Sequence, residues 1–280
     1  MHKKEEYEPI QNLPSHPKRE IYTNARLKKY PHLIEEQVCN KPIFPMGVGD
    51  IKRKRRYTVP APGKAQNPER AEQESCRRAK SRIMDIARCN DFDYMLTLTI
   101  DGSKLDRYDS KKIYKKVRAF LTNASQRHGF QYIMIPEYHA LKRGEARPAI
   151  HIHGLCNLGT LEIVPALNPH SGEPLTENGN PTYNLPSWIW GFSKIVALGK
   201  NSEHAALYIS KYISKGNDKI FGKRYLSSRN LIKSPKIIPL EPIDYFEFRD
   251  EKKIASGLQT ECELYSNIRL LTEVLEQSGD

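Results

Sequence analysis

Apolar residues in the central part of the chain recur with two different spacings, one typical of helices and one typical of strands. Residues 67–90 carry apolar side chains at intervals of three and four positions, which predicts a helix with one core-facing side. A second helix is predicted at residues 109–128, because Asp109 or Ser110 can cap its start and Gly129 can end it. The two apolar stripes consist of Ala79, Ile83, Ile86 and Ala87 in the first helix, and of Ile113, Val117, Phe120 and Leu121 in the second.

Four other segments have the alternation or the β-forming composition of strands. In the first of them Leu96 and Leu98 lie on one side, while Thr97 and Thr99 lie on the other. The second and third segments are joined by a short polar turn, so we expect them to pair antiparallel. The order of the elements predicts an α+β fold, in which helices flank a central antiparallel sheet. The four segments are residues 93–101, 130–139, 148–158 and 190–198.

The two ends of the chain differ from this central part in composition. Residues 1–70 are rich in proline and basic residues and follow no clear helical or strand period, which predicts a basic, partly flexible arm. Residues 71–240 form the predicted folded domain. Residues 241–280 contain ten acidic and four basic side chains, a net charge of −6, and we expect an acidic tail with an amphipathic helix at residues 262–277.

The overall charge indicates the kind of partner. The 280 residues carry a formal charge of +12, so residues 1–240 carry +18, and such a basic body favours a nucleic acid over a membrane surface. Five irregularly spaced cysteines predict no disulfide framework and favour a reducing cytoplasm. No apolar run approaches the roughly 20 residues that span a bilayer. The charged first residues precede no apolar core, so we expect no secretory signal.

A pair of histidines provides the first candidate chemistry. His151 and His153 are separated by Ile152 in a predicted strand, so both imidazoles project from one face while Ile152 enters the core. Two such imidazoles with a carboxylate suit Mg²⁺ or Mn²⁺. We expect Glu137, at the end of the preceding strand, to be the third ligand. His139 and His204 are the alternative third ligands, and an ordinary pair of strand histidines is the alternative to a metal site.

The sequence LYISKYISK at residues 207–215 provides the second set of candidate catalytic residues. In a helix its polar side chains form one stripe, while Ala206, Ile209 and Ile213 fall on the other side and can pack. A tyrosine can serve as a covalent nucleophile, and a lysine can hold a backbone phosphate. The alternative is an amphipathic helix with a solvated basic face. The stripe consists of Tyr208, Lys211, Tyr212 and Lys215.

Two further sets of residues admit a functional and an ordinary interpretation. Arg224, Tyr225 and Arg229 have the charge and the aromatic ring needed to hold single-stranded DNA, but they also suit a plain basic strand and turn. Cys156 lies close to the histidines, where it is either a small buried residue or a thiol ligand.

The order of these motifs resembles that of a known family. LTLT at residues 96–99, HIH followed by Gly154 and Leu155, and then YISKYISK are similar to the HUH-superfamily rolling-circle replication initiators of the two-tyrosine phage and prophage type. The resemblance covers about residues 75–235. It implies an HUH endonuclease domain of RRM or ferredoxin-like fold, with the HIH strand in the middle of the sheet and the tyrosine helix beside it. Glu137 stands where this family often has its third metal ligand.

The resemblance also implies an activity. The expected reaction is a nick in single-stranded DNA at an origin, a 5′-phosphotyrosine link, a free 3′-hydroxyl for a host polymerase, and later rejoining of strands. The sequence contains no G-x-x-x-x-G-K-[ST] motif, so we expect a host helicase to unwind the duplex. A two-tyrosine HUH transposase and a non-catalytic basic protein that binds single-stranded nucleic acid are the alternatives.

Overall fold

A computed structural model of the chain describes residues 22–46, 64–139, 141, 147–198, 207, 209, 219–246, 255–259 and 262–270. Their contacts divide them into two compact units. The elements, in chain order, are β1 (Tyr22–Thr23), β2 (Ala25–Lys29), β3 (Leu33–Cys39), β4 (Phe44–Pro45), α1 (Pro68–Cys89), β5 (Tyr94–Ile100), α2 (Ser110–His128), β6 (Gln131–Tyr138), β7 (Ile150–Asn157), β8 (Val164–Pro165), β9 (Thr176–Glu177), β10 (Asn180–Asn184), β11 (Gly191–Ala197), β12 (Leu226–Ser227), β13 (Lys236–Pro239), β14 (Ala255–Gln259) and β15 (Cys262–Leu270).

The larger unit contains the elements from α1 to β12 and is built on one antiparallel sheet. The strand order is β12-β6-β7-β5-β11-β10-β8, and β9 pairs with β10 outside this path. β7, which carries HIH, pairs along its length with β6 on one side and β5 on the other. The predicted α+β fold, with a central antiparallel sheet and flanking helices, is therefore confirmed.

Local capping sets the limits of both helices. The Asn67 side chain accepts a hydrogen bond from the backbone N–H of Arg70 at the start of α1. At the start of α2, the Asp109 side chain accepts one from Lys112 in the same way. The last turn of α2 ends at Gly129, whose φ of 69° is left-handed and whose N–H donates to the carbonyl of Ala124. The starts and ends expected from the sequence are confirmed.

The two faces of the large sheet are covered by different helices. α2 packs on the face that presents the buried apolar residues of β5, and Ile152 of β7 belongs to the same cluster, as expected. α1 packs on the opposite face, together with Ile209. The first cluster includes Leu96, Leu98, Ile113, Val117, Leu121 and Ile152; the second includes Ile83, Ile86, Ile133, Ile135, Leu155, Ile209 and Leu231.

The smaller unit contains a second antiparallel sheet, of order β13-β2-β3-β15-β14, and the two-stranded pair β1–β4. This sheet corrects the expectation for the acidic tail. The expected helix at residues 262–277 is wrong over Cys262–Leu270, which forms strand β15 and pairs with β3 over seven residues. Helical periodicity is a local signal, whereas β3, one of the two strands that pair with β15, lies near the other end of the chain. Part of the expected arm is also ordered into strands, β1 to β4.

The described cysteines include both a disulfide-bonded residue and free thiols. Cys39, on β3, is disulfide-bonded, which the irregular cysteine spacing did not predict. Cys76, Cys89 and Cys156 are free. Within the described part of the chain, no helix is long and apolar enough to cross a membrane.

Candidate active site on the histidine face

His151 and His153 lie on the face of the large sheet that α1 partly covers, which we call the histidine face. Ile152 between them is fully buried on the other face. Glu137 of β6 is the direct cross-strand partner of His151, so its side chain projects from the same face. The expected arrangement of two imidazoles and one carboxylate on one surface is therefore observed.

His153 is held between two side chains from neighbouring strands. Its Nδ1 lies 3.1 Å from Oγ1 of Thr97 on β5. Its Nε2 lies 3.5 Å from Oε2 of Glu137, and both of these side chains are largely buried, with exposed fractions of 17% and 16%. The motif LTLT contained Thr97, but its contact with His153 was not predicted. The signal available in the sequence was a polar residue on the side of β5 that turns away from the apolar core.

His151 has a different set of neighbours. Its ring centroid lies 4.8 Å from that of His139, in an edge-to-face arrangement, and 6.0 Å from that of His153. His139 thus lies beside the proposed ligands, as the sequence analysis allowed. His204, the other alternative third ligand, lies outside the described residues.

These donors fit a hard divalent cation by type, because they combine imidazole nitrogens with a carboxylate oxygen on adjacent strands. Among the residues that the structure describes, no group of three or more histidine, cysteine, aspartate or glutamate side chains is arranged as a ready metal site. The contact between Nε2 of His153 and Oε2 of Glu137 shows that two of the donors already approach each other.

Cys156 lies on the opposite face and is completely buried in the α2 core. This burial raises the pKa of its thiol far above the usual range, with the nearby Asp93 carboxylate adding to the effect. A neutral thiol on the other side of the sheet does not fit a ligand of the histidine face. The interpretation of Cys156 as a small buried residue is the one that its position supports.

The tyrosine stripe itself, Tyr208, Lys211, Tyr212 and Lys215, lies outside the described residues. Two residues of its segment are described, and both are helical: Leu207 is 46% exposed, whereas Ile209 is 1% exposed. Ile209 packs in the cluster that contains Leu155 and Ile135, which lie on the histidine face. The expected burial of Ile209 is confirmed.

Arg224, Tyr225 and Arg229 line a cleft of about 820 Å³ beside the edge strand β12, which we call the basic cleft. Its walls come from α1, α2 and the segment 219–233. None of its lining residues is acidic, and further basic side chains join those predicted from the sequence. The basic lining residues are Arg118, Lys219, Lys223, Arg224, Arg229 and Lys233, and the tyrosines are Tyr114, Tyr132 and Tyr225.

The three predicted DNA-contacting residues differ in how accessible they are. Arg224 is buried, where its guanidinium pairs with Glu72 and its Nε donates to Oγ of Ser75, 3.1 Å away. The hydrogen bond from Arg224 holds the pKa of Glu72 below its usual value. Burial raises the pKa of Tyr225. Arg229 is exposed. Arg224 therefore fastens the cleft segment to α1, and Arg229 is the more accessible of the two arginines.

Residues 93–217 match the family model of the replication-associated protein ORF2, and the matched segment includes HIH and YISKYISK. No curated protein and no solved structure matches the chain. Over residues 93–217 the chain is therefore similar to the replication-associated protein ORF2 family, and this match supports a relationship to rolling-circle replication initiators.

Proposed function

We propose that this protein is a rolling-circle replication initiator of the two-tyrosine type, which nicks single-stranded DNA at an origin and later rejoins strands. In this proposal Tyr208 or Tyr212 is the nucleophile, and Mg²⁺ or Mn²⁺ is held by His151, His153 and Glu137. The free 3′-hydroxyl primes a host polymerase, and a host helicase unwinds the duplex.

One observation carries the proposal: the histidine face bears both imidazoles and Glu137, and Ile209 of the tyrosine segment is buried in the apolar cluster of that same face. A helix anchored through Ile209 has neighbours at Leu155 and Ile135, and these residues lie two positions from His153 and Glu137 along their strands. The family match over residues 93–217 adds independent support, because it spans both motifs in the required order.

In the proposed reaction a tyrosine oxygen forms a bond to the phosphorus at the nick site, and the bond from that phosphorus to the 3′ oxygen breaks. The products are a 5′-phosphotyrosine and a 3′-hydroxyl, so the proton lost by the phenol is balanced by the proton that the 3′ oxygen gains. Lys211 and Lys215 hold the flanking phosphates and lower the cost of forming the phenolate. The second tyrosine permits a second transfer before the first DNA end is released.

The metal ligands would be His151, His153 and Glu137, and a bound divalent cation would supply charge neutralisation at a phosphodiester oxygen. Oγ1 of Thr97 lies 3.1 Å from Nδ1 of His153. In this proposal Nδ1–H donates to that hydroxyl oxygen, which would leave Nε2 as the coordinating nitrogen. Glu137 faces that nitrogen. These residues orient and partly desolvate the donor atoms before any ligand arrives.

Covalent capture tests the nucleophiles. The protein is incubated with labelled single-stranded DNA that carries the origin and with Mg²⁺ or Mn²⁺, and is then denatured. We expect a DNA-linked protein band that disappears in the Tyr208→Phe, Tyr212→Phe double variant, with the two single variants run beside it. Retained DNA binding without a covalent band under either metal would contradict the proposal and would favour the non-catalytic binding protein.

A separate experiment tests the metal ligands. His151→Ala combined with His153→Ala should abolish nicking and direct Mn²⁺ binding, measured by titration calorimetry, while DNA binding remains largely intact. Nicking that survives this change in chelated buffer would show that the metal role is wrong. Cleavage at the ends of a transposable DNA element, and not at a replication origin, would favour the transposase alternative.

A further inference from the structure

Phe192, on β11, lies in the same cross-strand row as the candidate active site. Its direct partner on β5 is Thr99, and the partner of Thr99 on β7 is His151. The partner of His151 on β6 is Glu137, so four adjacent strands place these side chains in one row. Directly opposed residues of antiparallel strands project from the same face, and Phe192 therefore belongs to the histidine face.

The exposure of Phe192 sets it apart from the apolar residues of the same strand and face. Phe192 is 69% exposed, whereas Val196, four positions along the same side of β11, is 7% exposed. Adjacent strands are spaced by about 4.8 Å, so Phe192 lies roughly 10 Å across the sheet from His151. The histidine face is therefore covered around Val196. Near His151, by contrast, the same face leaves the aromatic ring of Phe192 in solvent.

The positive charge of Lys194, in the neighbouring cross-strand row, is partly compensated by a carboxylate. Lys194 is the partner of Thr97, which is itself opposite His153. Its Nζ lies 2.6 Å from Oε2 of Glu177. We therefore assign no phosphate contact to Lys194, and the ring of Phe192 is the feature of this region that remains to be explained.

An exposed aromatic ring beside polar residues matches the way that proteins bind unpaired bases. Every nucleic-acid base has a flat π face, and stacking on an aromatic side chain contributes to affinity with little dependence on base identity. The rest of the row, Thr99, His151 and Glu137, is polar, which suits a ligand with a charged backbone better than an apolar protein partner.

We propose that Phe192 is a stacking platform for an unpaired base of single-stranded DNA that crosses the histidine face. The proposal rests on the proposed function in taking the histidines as the position of the scissile phosphate, but the stacking itself requires no cleavage. The DNA strand would cross the sheet from His151 on β7 towards β11, with one of its bases over the ring of Phe192. This contact would position the phosphate bound near His151.

Substitution of Phe192 combined with a fluorescent base tests the platform. The probe is a short oligothymidylate that carries several 2-aminopurines, whose fluorescence is quenched when they stack on an aromatic ring. We expect Phe192→Leu and Phe192→Ala to weaken binding by roughly 5- to 150-fold and to reduce the quenching, because stacking is lost. Phe192→Trp should retain both affinity and quenching.

Leu167→Ala is the matched control, since Leu167 is an apolar residue of similar exposure, 52%, that follows the outermost strand β8. It should bind and quench like the unaltered protein. Phe192→Leu keeps an apolar side chain and decides the result if Phe192→Ala does not fold. Unchanged affinity or unchanged quenching in Phe192→Leu would overturn the platform, as would an equal loss in Leu167→Ala.

The outcome is separable from that of the nickase proposal. The same measurements are made on the His151→Ala, His153→Ala double variant, which cannot nick if the proposed function is right. If the unaltered protein forms no covalent DNA link but the loss in Phe192→Leu is observed, the stacking platform stands and the nickase fails. If nicking occurs while Phe192→Leu binds and quenches normally, the platform fails alone.

Discussion

The hydroxyl oxygen of Thr97 lies 3.1 Å from Nδ1 of His153, and this contact fixes the imidazole across the strand pair β5–β7. A ring held at Nδ1 turns Nε2 in a defined direction, and that direction is towards Glu137. The threonine thus orients a proposed metal ligand from the neighbouring strand, in the way that hydrogen bonds to ligating histidines commonly do.

Thr97→Val tests this orienting role, because valine preserves the shape of the side chain and removes the hydroxyl. We expect Mn²⁺ affinity to fall by roughly 10- to 100-fold, since the ring loses the contact that holds its orientation. Calorimetric titration measures the affinity. Thr97→Ser keeps the hydroxyl and should bind nearly as well as the unaltered protein. Equal affinity in Thr97→Val would show that the contact does not tune the site.

Gly154, which directly follows HIH, is required by a close approach of two strands. A Cβ at this position would lie 2.2 Å from the carbonyl oxygen of Ile133, so the backbone itself would have to move. We expect Gly154→Ala to lower the free energy of unfolding by roughly 1–3 kcal/mol, as overpacked cores do. Urea denaturation measures the change.

Gly102→Ala is the control for this substitution, because its added Cβ would meet only the Cδ of Arg107, at 3.9 Å. It should leave the free energy of unfolding nearly unchanged. A similar loss in both variants would mean that the strand contact at Gly154 is not the cause.

The ion pair between Glu72 and Arg224 makes the stability of the larger unit depend on pH. The hydrogen bond from Arg224 lowers the pKa of Glu72 below 4.5, so the unfolded chain takes up the proton first as pH falls. The stabilisation is complete above that pH and is lost as pH falls through the lowered pKa of the folded state. Glu72→Gln should lower the free energy of unfolding by about 1–3 kcal/mol near neutral pH.

Urea denaturation at neutral pH and at several pH values below 4.5 checks whether the stabilisation from this ion pair decreases on acidification. The difference between the unaltered protein and Glu72→Gln should shrink as the pH falls. Glu74→Gln, two positions along the same helix, removes exposed ion pairs with Arg70 and Arg78 and should cost little. A difference for Glu72→Gln that grows on acidification would contradict the assigned role of the pair.

Arg229 and Lys233 are the basic-cleft residues whose charge removal should affect DNA binding most directly. If each contacts a phosphate, then Arg229→Gln and Lys233→Gln should each reduce the slope of log affinity against log salt by about 0.7, as for single strands. Fluorescence anisotropy at several salt concentrations measures the slope. Lys112→Gln on α2, outside the cleft lining, should leave it unchanged. An unchanged slope for both cleft variants would remove the basic cleft from the DNA-binding surface.

Local signals were sufficient for the elements of the larger unit. The two amphipathic stripes and their capping residues predicted α1 and α2, and the four β-forming segments correspond to β5, β6, β7 and β11. These signals act between residues a few positions apart, so a single sequence contains them. The proline-, glycine- and asparagine-rich segment 159–187 predicts a long loop that can contain a hairpin, and the antiparallel pair β9–β10 lies in it.

The smaller unit depends on contacts that the sequence does not display locally. β3 pairs with β2, which is close in the chain, and with β15, which is far from it. The segment 262–270 has enough apolar residues at helical spacing to favour a helix, and the hydrogen bonds offered by β3 on one side and β14 on the other make it a strand. A long-range backbone partner outweighed the local preference.

For the site, the sequence by itself determined that His151 and His153 share a face, because alternation along a strand is a property of the backbone. It also determined the apolar side of the tyrosine segment that buries Ile209. Only the tertiary structure decided which side chains join them. Thr97, Glu137 and Phe192 come from three other strands, and their position relative to the histidines follows from the pairing register, which cross-strand hydrogen bonds set.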